Sequence, residues 1–249
     1  MPSSENLRGQ TILITGAARR LGRRVALALA ERGAHIVAHY HTSGTEAEGL
    51  VGEIEEIGSK AWAVAGDLGH VDEPERLFAH VLEIAGPVDV LINSASIYTE
   101  EGIEDLTPES LAANVNVNAL APFLLSRAFA QQDREGSIVN FLDTRILDYD
   151  ERHVSYHLSK RMLFSITRMM ALEFAPKVRV NAIAPGLILP PEGRDESYLK
   201  KLARTNPLNA YGGPGDIVEA VLFLIQSPFI TGQIIYVDGG RHMLGGVYG

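Results

Sequence analysis

Short apolar runs alternate with helical segments along most of the sequence, and this alternation constrains the fold more than any other feature. Several runs, such as 11–15 (TILIT), are apolar and β-branched almost throughout instead of alternating with polar residues. Such runs are typical of parallel strands that crossover helices bury on both faces. No internal repeat or composition break divides the chain, so the sequence predicts an α/β fold: a single doubly wound domain with a parallel sheet, spanning residues 1–249.

The boundaries of the predicted elements follow from the β-branched runs, the helical apolar periodicity and the glycines between them. Strands are predicted over 11–15, 35–40, 60–65, 88–92, 137–142, 178–183 and 234–237, and helices over 23–32, 45–57, 74–85, 109–132, 153–174 and 216–226. Residues 186–196 are predicted to form a loop.

The charge of the chain limits the classes of partner. The 249 residues include 22 Lys+Arg and 31 Asp+Glu, which gives a formal net charge of −9. Nucleic acids and anionic membrane surfaces both favour a basic face, so neither is expected as a partner. The absence of cysteine excludes a disulfide scaffold, a thiolate metal site and a cysteine nucleophile. We expect a small-molecule ligand and no metal.

The sequence also carries expectations about the compartment. Residues 1–10 are polar and lack the apolar segment of a signal peptide. No apolar run approaches the roughly 20 residues that span a bilayer. The lack of cysteine fits a reducing compartment, so these features favour a cytoplasmic enzyme or small-ligand binder.

A glycine-containing turn lies between the first predicted strand and the first predicted helix. Its residues include Gly16, Arg19, Arg20, Leu21 and Gly22. At such a place, glycines let the backbone approach a pyrophosphate, and the helix N-terminus offers N–H groups to the anion. Only two glycines of the G-x-G-x-x-G pattern are present, so a plain turn with a helix-packing glycine remains the alternative.

The end of the second predicted strand indicates which nicotinamide cofactor is expected. An NAD site commonly has an acidic residue there, which binds the ribose 2′-hydroxyl. This sequence has Tyr40, His41, Thr42 and Ser43 instead, and the first acid is Glu46. Together with the arginines of the turn, these side chains suit a 2′-phosphate and therefore favour NADPH. The alternative is that they are solvated surface residues.

Tyr156 and Lys160 are four residues apart in a predicted helix, so their side chains lie on the same face. A phenol has a reference pKa of about 10, and a nearby ammonium group favours the phenolate. We therefore expect the pKa of Tyr156 to be lowered, which would allow proton exchange near neutral pH. A surface Tyr–Lys pair is the alternative, but the position after a strand and before Pro185-Gly186 makes a chance match a poor explanation.

With these residues together, the chain resembles the short-chain dehydrogenase/reductases over nearly its whole length. The resemblance implies a Rossmann sheet, a homotetramer packed through 109–132 and 153–174, and a catalytic group that includes Asn118, Tyr156 and Lys160. In that family the asparagine holds a proton-relay water, and the lysine holds the nicotinamide ribose. Further cofactor contacts are implied for Asp67, Leu68, Asn93, Ser94, Ala95, Pro185, Gly186 and Leu187.

The main departure from the family pattern is Asp143, which stands where the catalytic serine of the family is expected, about thirteen residues before Tyr156. Aspartate here, the arginine of the turn and the string His39-Tyr-His41 are similar to the pteridine reductases. That subgroup has a basic residue after the string, and Thr42 occupies its place. Contacts with a pterin are implied for Ser96, Tyr98, Asp143 and Tyr156, and the ring of Tyr98 is expected to stack on the pterin.

The sequence therefore predicts an NADPH-dependent reductase that converts a dihydropterin or dihydrofolate to its tetrahydro form. A carboxyl group can relay protons to a ring nitrogen, whereas serine mainly polarises a carbonyl oxygen. Residues 188–204 are expected to cover the substrate. Two alternatives remain: a carbonyl reductase of the 3-oxoacyl type, and a non-catalytic nucleotide-binding regulator that has lost the serine.

Overall fold

Seven strands form one parallel sheet in the computed structural model, which describes residues 7–244 of the chain. They are β1 (Thr11–Thr15), β2 (His35–Tyr40), β3 (Ala61–Ala65), β4 (Val90–Asn93), β5 (Gly136–Phe141), β6 (Val178–Pro185) and β7 (Ile234–Val237). Their order across the sheet is β3-β2-β1-β4-β5-β6-β7. The predicted amino-terminal stretch 1–10 and the predicted domain 1–249 extend beyond this range, and their residues 1–6 and 245–249 lie outside the described residues.

Helices connect the strands and cover the sheet. They are α1 (Arg20–Ala30), α2 (Gly44–Ile57), α3 (Glu73–Ala85), α4 (Pro108–Val115), α5 (Ala121–Ala130), α6 (Val154–Glu173), α7 (Glu196–Leu202) and α8 (Pro214–Gln226). Within residues 7–244, no helix is both long enough and apolar enough to cross a membrane.

Successive strand residues pack on opposite faces of the sheet, which explains why the strands are apolar throughout. Ile12 and Ile14 of β1 belong to a buried cluster with side chains of α1, α2 and α8. Leu13 belongs to a second cluster with side chains of α3, α5 and α6. Each fully buried side chain of this kind contributes about 1.5–3 kcal/mol relative to an exposed one. The predicted α/β fold, one doubly wound domain with a parallel sheet, is confirmed.

The strand order reverses between β1 and β4, and this reversal positions the site. β1 pairs with β2 on one side and with β4 on the other. The connections that leave these strands run in opposite directions, so a crevice opens beyond their carboxyl ends. Thr15 and Asn93, the last residues of β1 and β4, are paired in register at this crevice.

The predicted helix over 109–132 is wrong in one respect, because it consists of α4 and α5 joined by a π turn at Asn116–Leu120. Ala121 N–H donates to Asn116 O, which is the i→i−5 bond of a π turn. Pro122, in the first turn of α5, lacks the N–H that an uninterrupted α-helix would use there.

The predicted loop after β6 ends in a helix that the sequence analysis did not predict. Asp195 caps α7 by accepting a hydrogen bond from Ser197 N–H at 2.9 Å. α7 is held against the protein by Leu199, which is buried. Segment 188–204, predicted to cover the substrate, therefore contains ordered helical structure.

Candidate active site

A cleft with a volume of ≈ 400 Å³ lies at the carboxyl edge of the sheet, beyond β1, β4 and β5. It brings together most of the residues predicted for the site. Those that line it are Gly16, Arg19, Arg20, Leu21, Gly22, Ser94, Ala95, Ser96, Tyr98, Asp143, Tyr156, Lys160, Pro185 and Gly186. The cleft also contains Phe141, Leu142, Ile188 and Leu189, which the sequence analysis did not single out as individual residues.

The other predicted residues lie outside the lining of this cleft. Tyr40, His41, Thr42 and Ser43 follow one another at the end of β2 and the start of α2, and Asp67 and Leu68 follow β3. Asn93 and Asn118 are buried, and Leu187 borders a separate cavity beside α8.

Asp143 and Tyr156 both line the cleft and are in direct contact. Tyr156 Oη donates a hydrogen bond to Asp143 Oδ2 at 3.0 Å. The other carboxylate oxygen of Asp143 accepts a hydrogen bond from Arg145 N–H at 2.8 Å. Lys160 Nζ donates to Phe141 O at 2.8 Å, so the carboxyl end of β5 holds the lysine. The acid, the phenol and the ammonium group thus converge on one wall of the cleft.

The predicted lowering of the Tyr156 pKa is wrong for this arrangement. Burial raises the pKa of Tyr156 well above its usual value, and the charge of Asp143 and the hydrogen bond to it raise it further. The phenol therefore keeps its proton in the resting site. Burial also lowers the pKa of Lys160 to about 8, although the charge of Asp143 opposes that shift.

Asn118 connects the loop after β4 to α6. Its Oδ1 accepts hydrogen bonds from Ile97 N–H at 2.9 Å and from Ser96 Oγ at 3.0 Å. Its Nδ2 donates to Ile97 O and to Ser159 Oγ, each at 3.0 Å. The side chain is fully buried, so its amide groups hold the loop that carries Ser96 beside the cleft.

The ring of Tyr98 is stacked on His153, with centroids 4.1 Å apart and an interplanar angle of 18°. The ring of Tyr156 contacts the ring of Tyr98 edge to face, with an interplanar angle of 87° and centroids 4.6 Å apart. His153 is held in turn by Asp150, whose two carboxylate oxygens each lie 3.2 Å from Nδ1. Sequence reasoning did not find His153. A substrate ring stacked on Tyr98 is limited to the face turned away from His153.

The glycine turn brings three parts of the backbone very close together. A Cβ atom at Gly16, whose φ is +65°, would lie 2.9 Å from Ala95 Cα. A Cβ atom at Gly22 would lie 2.3 Å from Gly16 O. Both glycines therefore serve packing, as the alternative interpretation of the turn proposed, and they also leave the N-terminus of α1 open to the cleft.

The N-terminus of α1 is suited to an anion. Arg19 is the N-cap residue, and among the described residues its side chain makes no capping bond. The first turn of α1 contains no acidic residue. Free N–H groups and the positive end of the helix dipole favour a phosphate here, so these residues fit the pyrophosphate of a nicotinamide cofactor.

The side chain of His39 contacts the backbone of the glycine turn. Its Nδ1 accepts a hydrogen bond from Gly16 N–H at 3.2 Å, and its Nε2 lies 3.2 Å from Gly66 O. These contacts require a neutral ring with its proton on Nε2. Burial lowers the pKa of His39 to about 4, which keeps the ring neutral. His39, the first residue of the string that resembles the pteridine reductases, therefore supports the glycine turn with its side chain.

Arg19 and Arg20 contact the segment that follows β6. Arg20 Nη2 donates to Pro190 O at 2.7 Å, and Arg19 forms an ion pair with Glu192. Both arginines therefore lie between the glycine turn and the segment predicted to cover the substrate. The ion pair is at the surface, where such pairs contribute about 0–1 kcal/mol, so a phosphate group could displace Glu192 from Arg19.

Asp67 and Asn93, both predicted to contact the cofactor, have different surroundings. Asp67 Oδ2 lies 3.6 Å from His41 Nε2, close to the end of β2. Asn93 Nδ2 donates to Asn140 Oδ1 at 2.8 Å inside the sheet. Asn93 Oδ1 is buried and has no hydrogen-bond partner among residues 7–244. The side chain of Asn93 is thus held in the sheet beneath the cleft.

Several known proteins to which this chain is similar are reductases. A family model described as enoyl-(acyl carrier protein) reductase matches residues 16–242. Versicolorin reductase of Emericella nidulans is 33% identical, and the match covers 96% of this chain and 99% of that protein. The 3-oxoacyl-[acyl-carrier-protein] reductase of a Synechocystis species is 31% identical, and the match covers 95% of this chain and 98% of that protein.

A solved structure is also similar to this chain over nearly its whole length. It is the FolM alternative dihydrofolate reductase 1 from Brucella suis in complex with NADP. The two chains superpose with a TM-score of 0.90 at 30% sequence identity, and the match covers 95% of this chain and 96% of that one.

Proposed function

The chain belongs to the short-chain dehydrogenase/reductase family, and within that family we propose that it is an NADPH-dependent reductase of pterins. It is an NAD(P)-dependent oxidoreductase. The proposed reaction reduces a dihydropterin or dihydrofolate to its tetrahydro form. The proposal includes membership of a pteridine reductase-like subgroup.

The contact between Asp143 and Tyr156 is the observation that carries the proposal. Tyr156 donates to the carboxylate at 3.0 Å, so an acidic group lies where the family has a serine. A carbonyl substrate needs a neutral donor to its oxygen, and a carboxylate beside it would repel the developing charge. A pterin instead offers ring N–H groups and an amino group that a carboxylate can accept from.

The proposed roles of the chain's own residues concern the proton. When bound, the cofactor supplies a hydride to a carbon of the pterin ring, and the adjacent ring nitrogen must then gain a proton. Tyr156 holds that proton at rest, because its pKa is raised by burial and by Asp143. Asp143 orients the phenol, and the ammonium group of Lys160 lies beside the ring of Tyr156, 5.8 Å from its centroid. Asn118 is proposed to hold the proton-relay water through which Tyr156 regains its proton.

The proposed cofactor is NADPH. Gly16, Gly22 and the open N-terminus of α1 would hold the pyrophosphate. The 2′-phosphate would be bound by Arg19 or Arg20 with Thr42, since no acidic residue follows β2 in the chain before Glu46. Support also comes from the NADP complex of the Brucella suis FolM protein, which is 30% identical to this chain.

The substrate is proposed to lie between Tyr98 and the segment 188–204. Ser96, Tyr98 and Asp143 line the same cleft as Ile188 and Leu189. The aromatic ring of Tyr98 supplies a flat apolar surface for the pterin, on its face away from His153. Segment 188–204 would cover this surface and exclude water.

A carbonyl reductase is the second candidate, and the names of the relatives favour it. The versicolorin and 3-oxoacyl-[acyl-carrier-protein] reductases are about as similar to this chain as the FolM structure is. Initial rates with NADPH on dihydrobiopterin, dihydromonapterin, dihydrofolate and a β-ketoacyl thioester separate the two. Turnover of a pterin supports the proposal, and turnover of the thioester alone contradicts it. Binding of NADPH without any turnover would favour a nucleotide-binding regulator.

A further inference from the structure

A second cleft, with a volume of ≈ 630 Å³, lies along α7 in the segment that covers the proposed substrate site. Arg194, Tyr198 and Lys201 line it. Tyr198 and Lys201 are three residues apart on α7 and therefore share a face of the helix. The buried side chain of Leu199 fixes the helix to the protein, so this face has a defined orientation.

The acidic side chains of the segment are all engaged with other groups. Glu192 pairs with Arg19, and Asp195 caps the N-terminus of α7. Glu196 Oε2 lies 3.0 Å from Lys200 Nζ. The local hydrogen bonds of Asp195 and Glu196 lower the pKa of each carboxyl, so both remain anions in these contacts.

Arg194 and Lys201 are the cations at this cleft that the three carboxylates leave unpaired. Within the part of the chain that the structure describes, neither side chain has an ion pair or hydrogen bond, and both are exposed at the cleft. Lys200, their neighbour, is paired with Glu196. In a chain whose net charge is −9, two unpaired cations on one cleft form a local site for an anion.

Segment 188–204 connects this cleft to the catalytic one. Ile188 and Leu189 of the segment line the catalytic cleft, and Arg194 and Tyr198, a few residues further along the chain, line the second one. A substrate bound beneath this segment can therefore extend from the first cleft towards the second.

We propose that Arg194 and Lys201 bind the carboxylates of a folate-type side chain while the pterin ring lies in the catalytic cleft. A guanidinium group binds a carboxylate with two parallel hydrogen bonds, and an ammonium group adds a point charge. A dihydrofolate carries such carboxylates, whereas the side chain of dihydrobiopterin is a neutral diol. This inference rests on the proposed pterin reduction and narrows its substrate class.

The test compares the two substrates in a double variant, Arg194→Gln with Lys201→Gln. The KM for dihydrofolate is expected to rise by at least about fivefold, because two cations that contact its carboxylates are lost. The KM for dihydrobiopterin and both kcat values should stay within about twofold of the wild type. Lys200→Gln is the matched control, since Lys200 belongs to the same helix and is already paired, and it should leave both KM values unchanged.

If the KM values for the two substrates change equally in the double variant, or the KM for dihydrofolate does not change, the assignment of Arg194 and Lys201 to the folate carboxylates is overturned. If the wild-type chain reduces neither pterin, the proposed function fails, and the subsite is then decided by binding alone. Calorimetry of folate and of biopterin with the NADPH-loaded chain gives this result. Weaker folate binding in the double variant, with biopterin unchanged, supports the subsite, and identical folate binding in both chains contradicts it.

Discussion

Tyr156 donates a hydrogen bond to Asp143, and the donor and acceptor oxygens are 3.0 Å apart. The contact joins the carboxyl end of β5 to the first turns of α6. It keeps the phenol protonated and the carboxylate oriented before any substrate binds. The proposed chemistry depends on this pair more than on any other contact in the cleft.

Replacement of either partner should therefore stop pterin reduction. We expect Asp143→Ser and Tyr156→Phe each to lower kcat by about 10²–10⁴-fold, the usual effect of losing a proton-transfer group. The double variant should be little worse than either single one, because the two residues act as a unit. Rates are measured under saturating NADPH, with NADPH binding and thermal unfolding as controls. Pterin turnover that survives Asp143→Ser, or new activity on a ketoacyl thioester, would favour the carbonyl reductase.

The cofactor preference can be tested at the glycine turn. We expect kcat/KM with NADPH to exceed that with NADH by at least about tenfold, which corresponds to about 1.4 kcal/mol. Arg20→Ala should narrow this ratio by raising the KM for NADPH. Arg24→Ala, an exposed residue of the same helix, is the matched control and should leave the ratio unchanged. Equal efficiency of the two cofactors in the wild type would contradict the prediction.

The buried ammonium group of Lys160 predicts an alkaline limb in the pH profile. Its pKa is lowered to about 8 by burial, so the cation is present below that pH and is lost above it. We expect kcat/KM for NADPH to be constant near pH 7 and to fall above about pH 8, because this parameter reports the free enzyme. An activity that stays constant up to pH 10 would show that the charge of Lys160 is not required.

Loss of folded structure would not explain the expected fall of kcat/KM above about pH 8. A lysine whose pKa is lowered by folding binds more protons in the unfolded chain, so its contribution to stability rises with pH between about 8 and 10.5. Thermal unfolding recorded over the same pH range should therefore show no loss of structure attributable to this group.

His39 predicts acid sensitivity. Its pKa is lowered to about 4 by burial, whereas an unfolded histidine has a pKa near 6.5. Between these values the unfolded chain binds more protons, so stability falls as the pH falls, by about 2–3 kcal/mol at pH 4.5. Urea unfolding of the wild type and of His39→Gln at pH 7 and pH 4.5 measures this. The stability advantage of the wild type should shrink at the lower pH, and a constant advantage would refute the assignment.

The homotetramer that the family resemblance implies would have α4, α5 and α6 at its subunit contacts. On α6, Met169 and Leu172 are 66% and 84% exposed, which is unusual for large apolar side chains on a helix of 20 residues. We expect light scattering to report a tetramer at micromolar concentration, and Met169→Glu with Leu172→Glu to yield a smaller species. A monomeric wild type would contradict the prediction.

Most of the fold could be predicted from the sequence, because apolar strands and Gly-bounded helices are local patterns. β1, β2 and β7 have the bounds predicted for them. The π turn was missed although Pro122 marks it, since the 3.6-residue periodicity continues on both sides of the interruption. α7 was missed because a helix of 7 residues leaves little periodicity, and its cap at Asp195 lies among other polar residues.

The site was harder to predict where it depends on burial. The spacing of Tyr156 and Lys160 is visible in the sequence, but the effect of burial and of Asp143 on the phenol is not. The sequence does not reveal the contacts of His39 and His153, because only the fold places these rings against Gly16 and Tyr98. Contacts between residues so far apart in the chain have no local pattern.

The closeness of Gly16 and Gly22 has a consequence for how this enzyme can diverge. Any side chain at Gly22 would collide with Gly16 O, and any at Gly16 would collide with Ala95 and strain a backbone whose φ is +65°. Neither position can be altered in small steps without moving the first helix. Drift in cofactor preference is therefore confined to the neighbouring side chains, above all Arg19, Arg20 and Thr42, which can change while the turn stays as it is.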